Sequence, residues 1–242
     1  MRRVFGSCVL ATAALFAACE EEPTTITTAD VDLRDYLIAP VPGGDGSIVF
    51  SVDSTLFDPA VGGTAVRTSN QTWTLRTEES SEDERLFLVE KRAGNQSLGR
   101  QFWRWDLVNE GRGIVNEIDG VSYLSLVAPF VVGAEWDPLL LTDRDLVVAI
   151  EAEPVSIHKD WGARIDSVGM YSRMNETPVS AVWVTHADSE NRIELRQVRE
   201  VYGLNVGLLE RSVDILDSQN LEEVPWDEKA ETGFRLRMTR QF

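Results

Sequence analysis

A chain of 242 residues with 40 acidic against 23 basic side chains, a net charge of −17, repels nucleic acid and anionic headgroups and excludes partners that need a basic surface. Its two cysteines exclude a disulfide-stapled scaffold, so any fold must rest on a hydrophobic core, for which 43% hydrophobic residues are sufficient.

Arg2 and Arg3 open the chain, and residues 4–16 form an apolar run too short to remain as a membrane span, so residues 1–18 read as an export signal. Phe16-Ala17-Ala18-Cys19 closes that signal as a lipobox, with Phe where Leu is commonest. The alternative is an ordinary cleaved signal followed by a chance cysteine. Small residues directly before a cysteine at the end of the apolar run favour lipidation, with the Cys19 thiol forming the thioether to diacylglycerol. Cleavage would discard Cys8 and acylation would consume Cys19, leaving no thiol for a disulfide. Losing Arg2 and Arg3 would leave 21 basic against 40 acidic residues, a charge of about −19.

Residues 19–30 are polar, with Glu20-Glu21-Glu22-Pro23 followed by a threonine-rich stretch, and read as a flexible acidic tether. A single β-rich domain is expected over 31–242. Apolar and β-branched or aromatic residues alternate with polar ones over 48–56, 71–77, 85–91, 100–108, 113–118 and 121–127, then over 145–153, 179–186, 192–202, 206–215 and 233–240. Asp119-Gly120 is a type I′ hairpin signal, and 187–191 reads as a short polar loop between two strands. Helix is expected only around 138–144 and 218–229, where proline and dense charge weaken it. No internal repeat occurs. The expected fold is mainly β, a single antiparallel curved sheet or half-open barrel of about eleven strands with little helix.

No linear motif carries chemistry. Gly-x-Ser-x-Gly, Ser-x-x-Lys, His-Glu-x-x-His and Walker-type loops are absent, and Gly43-Gly44-Asp45-Gly46 lacks the flanking strand and helix that would cradle phosphate, so it reads as a turn. His158 and His186 are the only histidines, too far apart in sequence and without a cysteine to complete a zinc set; each is expected as a partly exposed loop or strand-end residue. Asp137, Asp143 and Asp145 offer hard oxygen ligands without a regular calcium loop, and Glu151 with Glu153 is a period-two carboxylate pair of a kind that an acidic chain yields by chance. No cofactor or metal is expected. Asp53-Ser54-Thr55 and Asp166-Ser167-Val168 resemble an O-glycosylation acceptor pattern, and Asn70, Asn95 and Asn175 begin N-glycosylation sequons that matter only where the matching transferase exists.

The aromatic run is the more informative feature. Strand periodicity puts Trp103 and Trp105 on one face and Phe102 on the other. Exposed, the paired indoles would be candidate ligand contacts, stacking on sugar rings or lining a lipid cleft. Buried, they would fill the core of a curved sheet, and that reading is favoured, with Trp73, Trp136 and Trp183 joining them.

Landmarks over residues 35–242 resemble a family of uncharacterised outer-membrane lipoproteins from Bacteroidota. They are Asp35-Tyr36, Val52-Asp53-Ser54-Thr55-Leu56-Phe57-Asp58, Phe102-Trp103-Arg104-Trp105, Leu126-Val127-Ala128-Pro129-Phe130, Gly133, Trp136-Asp137, and Val201-Tyr202-Gly203-Leu204-Asn205-Val206-Gly207-Leu208-Leu209. The chain departs from the family at Gly46-Ser47-Ile48-Val49-Phe50, where a Gly-Asn-Tyr-Trp-like lead-in is usual. The resemblance implies a shared fold and location but no activity. In that group, acidic residues after the lipidated cysteine resemble a surface-export signal, a second reading of the Glu triplet beside a solvated tether.

These observations lead to a non-enzymatic lipoprotein anchored to the outer membrane by its N-terminal lipid, on the periplasmic or the surface face, whose concavity binds an apolar or amphipathic ligand or a protein partner. A glycan-binding accessory with Trp103, Trp105 or Trp226 on a flat exposed patch, and a purely structural role, are the alternatives. A hydrolase would need two carboxylates facing across a cleft, which nothing linear supports.

Overall fold

A computed structural model describes residues 31–38, 47–58, 63–118, 121–142, 146–150, 153–173 and 177–242, with backbone alone over 63–68. The signal, Cys19 and the tether, the glycine run at 43–46, Asp119-Gly120, Asp143, Asp145, Glu151 and Asn175 lie outside the described residues.

Two-residue periodicity along the strands separates an apolar face from a wet one. Six strands form a first meander: β1 (Ser47–Asp58), β2 (Gly63–Ser80), β3 (Glu84–Ala93), β4 (Gln96–Val108), β5 (Gly113–Ile118) and β6 (Val121–Val127). After the two-residue β7 (Glu135–Trp136) and the hairpin β8 (Val147–Ile150) and β9 (Glu153–Ser156), a second meander follows: β10 (Trp161–Tyr171), β11 (Val179–Glu190), β12 (Glu194–Gly203), β13 (Gly207–Asp217) and β14 (Thr232–Gln241). β14 returns to pair antiparallel with β1, from Val49 opposite Gln241 to Phe57 opposite Gly233, which joins the meanders into one 12-stranded antiparallel sheet with β6 and β7 at its ends.

The sheet curls into a nearly closed barrel. Its two ends meet where the Leu124 N–H donates to the Pro138 carbonyl at 2.7 Å and the Trp136 indole N–H donates to the Leu124 carbonyl at 2.9 Å. Closure protects edges that would otherwise template pairing with other chains, and it turns the apolar face of every strand inward. The core therefore lies in the lumen: Phe50, Val52, Phe87, Val89, Trp103 and Trp105 are all fully buried.

Both ends of the lumen are covered. At one, a 3₁₀ turn (Leu33–Tyr36), capped by the Asp32 carboxylate accepting from the Arg34 N–H at 2.9 Å, inserts Leu33, Tyr36, Leu37 and Ile38; the Tyr36 ring meets Phe130 edge-on at 4.9 Å. The Asn205 N–H holds this plug through the Asp35 carbonyl at 2.6 Å. At the other end, Ile150 and Val155 of the β8–β9 hairpin and the following Ile157 pack on Trp161, Val213 and Ile215.

The expected class holds, and the differences have local causes. β10 escaped the periodicity because its register shifts twice, between Trp161 and Arg164 and between Ile165 and Ser167, which breaks the alternation. The expected strand over 145–153 is instead the β8–β9 hairpin. The expected loop at 187–191 is mostly strand: β11 continues to Glu190, and the turn is made by Asn191, whose side-chain carbonyl accepts from the Ile193 and Glu194 N–H groups at 2.9 Å each. Polar residues such as Asp188 are compatible with a strand whose outer face is wet. Residues 138–142 form turns, and of the expected helix at 218–229 only one turn exists, α1 (Trp226–Lys229), starting after Pro225. Among the described residues no helix is long and apolar enough to cross a membrane.

Candidate functional site

Along β12, Arg196, Val198, Glu200 and Tyr202 alternate inward, placing a carboxylate in the middle of the lumen. β11 delivers its partner: His186 continues the inward alternation of Val182 and Val184. Thr185 pairs with Arg199 and Ala187 with Val198, so His186 is the extra residue of a bulge that brings Ala187 to the inner face as well. On the far wall Asn116 of β5 pairs with Tyr123 of β6, and on β13 Arg211 lies opposite Glu200.

These side chains form one sealed polar layer. Tyr123 Oη donates to Glu200 Oε1 and Tyr202 Oη to Oε2; His186 Nε2 lies 2.8 Å from Oε2, and Arg211 Nε 3.5 Å from Oε1. Asn116 Nδ2 donates to Tyr123 Oη at 3.3 Å, and the Trp103 indole N–H donates to Asn116 Oδ1. The His186 ring stacks near Trp161 at 6.1 Å and meets Tyr123 edge-on at 5.1 Å. The Arg211 guanidinium sits 5.4 Å from the Tyr123 ring centre, within cation–π range.

Burial by itself would raise the Glu200 carboxyl. The imidazole of His186, the guanidinium of Arg211 and the Tyr123 hydroxyl outweigh it and hold the group down at about 2. Burial and the charge of Glu200 push the Tyr123 and Tyr202 phenols well up, so both remain neutral donors.

A pH dependence follows. Glu200 binds protons less readily folded than unfolded, so it adds stability that is complete above its ordinary 4.5 and is lost as pH falls toward about 2. The linked loss is on the order of 3 kcal/mol. The phenols act with opposite sign: their contribution is complete below pH 10 and declines above it. Urea unfolding across a pH series should show stability falling steeply between pH 4.5 and 2, and Glu200→Gln should flatten that limb. An equally steep limb in the variant would assign the acid sensitivity elsewhere.

Beside the polar layer, toward the β8–β9 cap, lies a cavity of about 70 Å³. Val213 and Ile215 of β13 and Phe234, Leu236 and Met238 of β14 form one wall. Trp73, Ile118, Val121, Ile157 and Trp161 complete the lining, and Arg211 is its only charged side chain. Arg211 thus touches both the cavity and the carboxylate layer.

Comparison with protein-family models, with curated proteins and with solved structures finds no match.

Trp103 and Trp105 are 0% exposed and neither lines the cavity; they pack on each other at 5.7 Å between ring centres and on Phe50 and Tyr202. Phe102, on the opposite face as the strand period requires, is 61% exposed. Trp226 is 8% exposed and donates to Glu190, so the three indoles form no exposed platform. Trp73 is in the core and lines the cavity, and Trp136 packs partly buried against the core. Trp183 departs from expectation: it faces outward, onto a separate small cluster with Val201 and Leu209.

The histidines also correct the sequence reading. Both are buried, His158 at 3% and His186 at 0% exposure, because His186 shares the inward face of Val182 and Val184 on a strand that continues past it and His158 packs on Trp161 at 5.0 Å. Glu200, Arg211, Tyr123 and Asn116 were not singled out from the sequence, and Tyr202 entered only as a landmark of the family resemblance. A usable signal was present: Val198, Glu200 and Tyr202 share one strand face, as do Arg211, Val213 and Ile215. A charge at period two with apolar residues is a charge facing the core.

Proposed function

We propose that the chain is a non-enzymatic lipoprotein of the bacterial outer membrane, anchored through an acylated Cys19, whose barrel holds an apolar or amphipathic small molecule. The observation that supports this reading is the cavity beside Arg211. Its volume of about 70 Å³ would accommodate about five waters, but each needs two to four polar partners, and the polar side-chain groups of the lining are only the Arg211 guanidinium and the indole N–H groups of Trp73 and Trp161. An apolar occupant meets no such cost: a short alkyl segment fits the volume and the lining, with a polar end directed at the Arg211 guanidinium.

The test is native mass spectrometry with lipid extraction on the full-length protein purified from its producing cells. The expected result is one co-purifying apolar or amphipathic molecule, with occupancy lowered at least about tenfold in Val213→Phe, which fills the cavity from its β13 wall. An empty parent protein, or equal occupancy in Val213→Phe, would exclude the cavity as a carrier site and leave a structural or protein-partner role. In the same preparation the N-terminal peptide is expected to carry a diacylglyceryl mass on Cys19, and Cys19→Ser to leave the membrane fraction; an unmodified Cys19 would refute the anchor.

A further inference from the structure

The outer wall of the barrel carries a second recess, of about 270 Å³, across β11 to β14 and remote in character from the lumen. Cross-strand register sets Trp183 beside Val201 and Val201 beside Glu210; one step along, Arg199 lies beside Ser212 and Ser212 beside Arg237. Small side chains therefore occupy the floor, with Thr239 beyond them, and large ones rise on both sides. The Trp183 indole is buttressed by Tyr171, with ring centres 6.5 Å apart.

The polar groups of the rim are fixed in place. Arg237 Nη2 donates to Asp214 at 2.6 Å, Arg199 Nη2 to Asp188 at 3.3 Å, Tyr171 Oη to Glu210 at 2.7 Å, and Arg164 Nε to Asp166 at 2.8 Å. A guanidinium has more N–H donors, and a carboxylate more lone pairs, than these contacts use. The lining includes three guanidinium groups, Arg199, Arg211 and Arg237, and three carboxylates, Asp166, Glu200 and Glu210, beside one aromatic plane. An ionic ligand would meet like charge as often as opposite charge, and an apolar one would strand the polar rim. A ring with one C–H face and hydroxyls that both donate and accept satisfies every part of the lining. The volume lies just below the usual range of about 300–1,000 Å³ for small-molecule sites, which suits a single ring.

We propose that this recess binds a neutral pyranose unit of a glycan, with the sugar's C–H face on Trp183 and its hydroxyls on Arg199, Glu210 and Arg237. The recess shares Arg211 and Met238 with the lumen cavity, but Trp183, Arg199, Glu210 and Arg237, on which the sugar would rest, do not line that cavity, so the test is separate from that of the carrier reading. The test is saturation-transfer NMR on the full chain with methyl glucoside, galactoside and mannoside, and with glucuronate and inorganic phosphate as charged probes. Millimolar binding of at least one neutral glycoside is expected, weakened about tenfold in Trp183→Ala and also in Arg199→Ala. Arg199 is half-exposed with a single surface ion pair, so its variant remains folded even if Trp183→Ala loosens the outer cluster. No binding by any neutral glycoside, binding of the charged probes only, or unchanged affinity in Arg199→Ala would overturn the proposal.

Discussion

Glu200→Ala is expected to cost about 3–5 kcal/mol of unfolding free energy, because it removes the one acceptor on which a buried layer converges. Two phenol hydroxyls, an imidazole nitrogen and a guanidinium all address this carboxylate inside a lumen closed to solvent. Alanine would leave each of them buried without its acceptor, at a cost of about 1–3 kcal/mol for a neutral donor and more for a charged one. Glu200→Gln keeps the volume but turns one acceptor oxygen into a donor that faces donors, so an intermediate loss is expected. The effects should be non-additive: Tyr202→Phe should destabilise the parent yet cost little more once Glu200 is alanine, since its hydroxyl then has no carboxylate to lose. Equilibrium urea unfolding followed by tryptophan fluorescence reads all three. A Glu200→Ala loss under about 1 kcal/mol would mean that the layer contributes no net stability.

Gly207→Ala is expected to lower stability by about 2–5 kcal/mol, for two reasons that add. Its φ of +82° lies in the left-handed region that L side chains rarely adopt, and an added Cβ would sit 2.3 Å from the Ile38 Cα and 2.6 Å from its nitrogen. Those are backbone atoms of the N-terminal plug, which cannot swing aside as a side chain could. The variant must therefore distort the start of β13 or push the plug out of the lumen. Hydrogen exchange should show the segment around Leu37 and Ile38 losing protection before the β12–β13 ladder does. Gly94→Ala is the control: Gly94 has φ +54° and nothing within 4 Å of the added atom, so only about 1 kcal/mol of backbone strain is expected. Equal effects at the two glycines would remove the steric part of the explanation.

The polar layer bears on function through Arg211. Its guanidinium faces the ionised Glu200 and also lines the cavity, so the charge that a ligand's polar end would meet is already partly neutralised. An uncharged or weakly polar end group suits that position better than a full anion.

The amino-acid sequence by itself determined the class of fold. Strict alternation needs no knowledge of partners, so 113–118 and 121–127 match β5 and β6 residue for residue, and Phe102 separates from Trp103 and Trp105 as the strand period demands. What only the tertiary structure decided is whatever depends on breaks in that period or on contacts between distant strands. β10 shifts phase twice, so its faces do not follow from counting in twos. His186 shares the inward face of Val182 and Val184, but only the continuation of β11 to Glu190 makes it a buried mid-strand residue rather than a strand end. Trp183 has the composition of a core residue, but its register sets it on the outer wall. Glu200 becomes a centre only because β5, β6, β11 and β13 bring Asn116, Tyr123, His186 and Arg211 around it from segments far apart in the chain. A buried charge is stable only with such partners, and its partners are a property of the closed barrel rather than of any one strand.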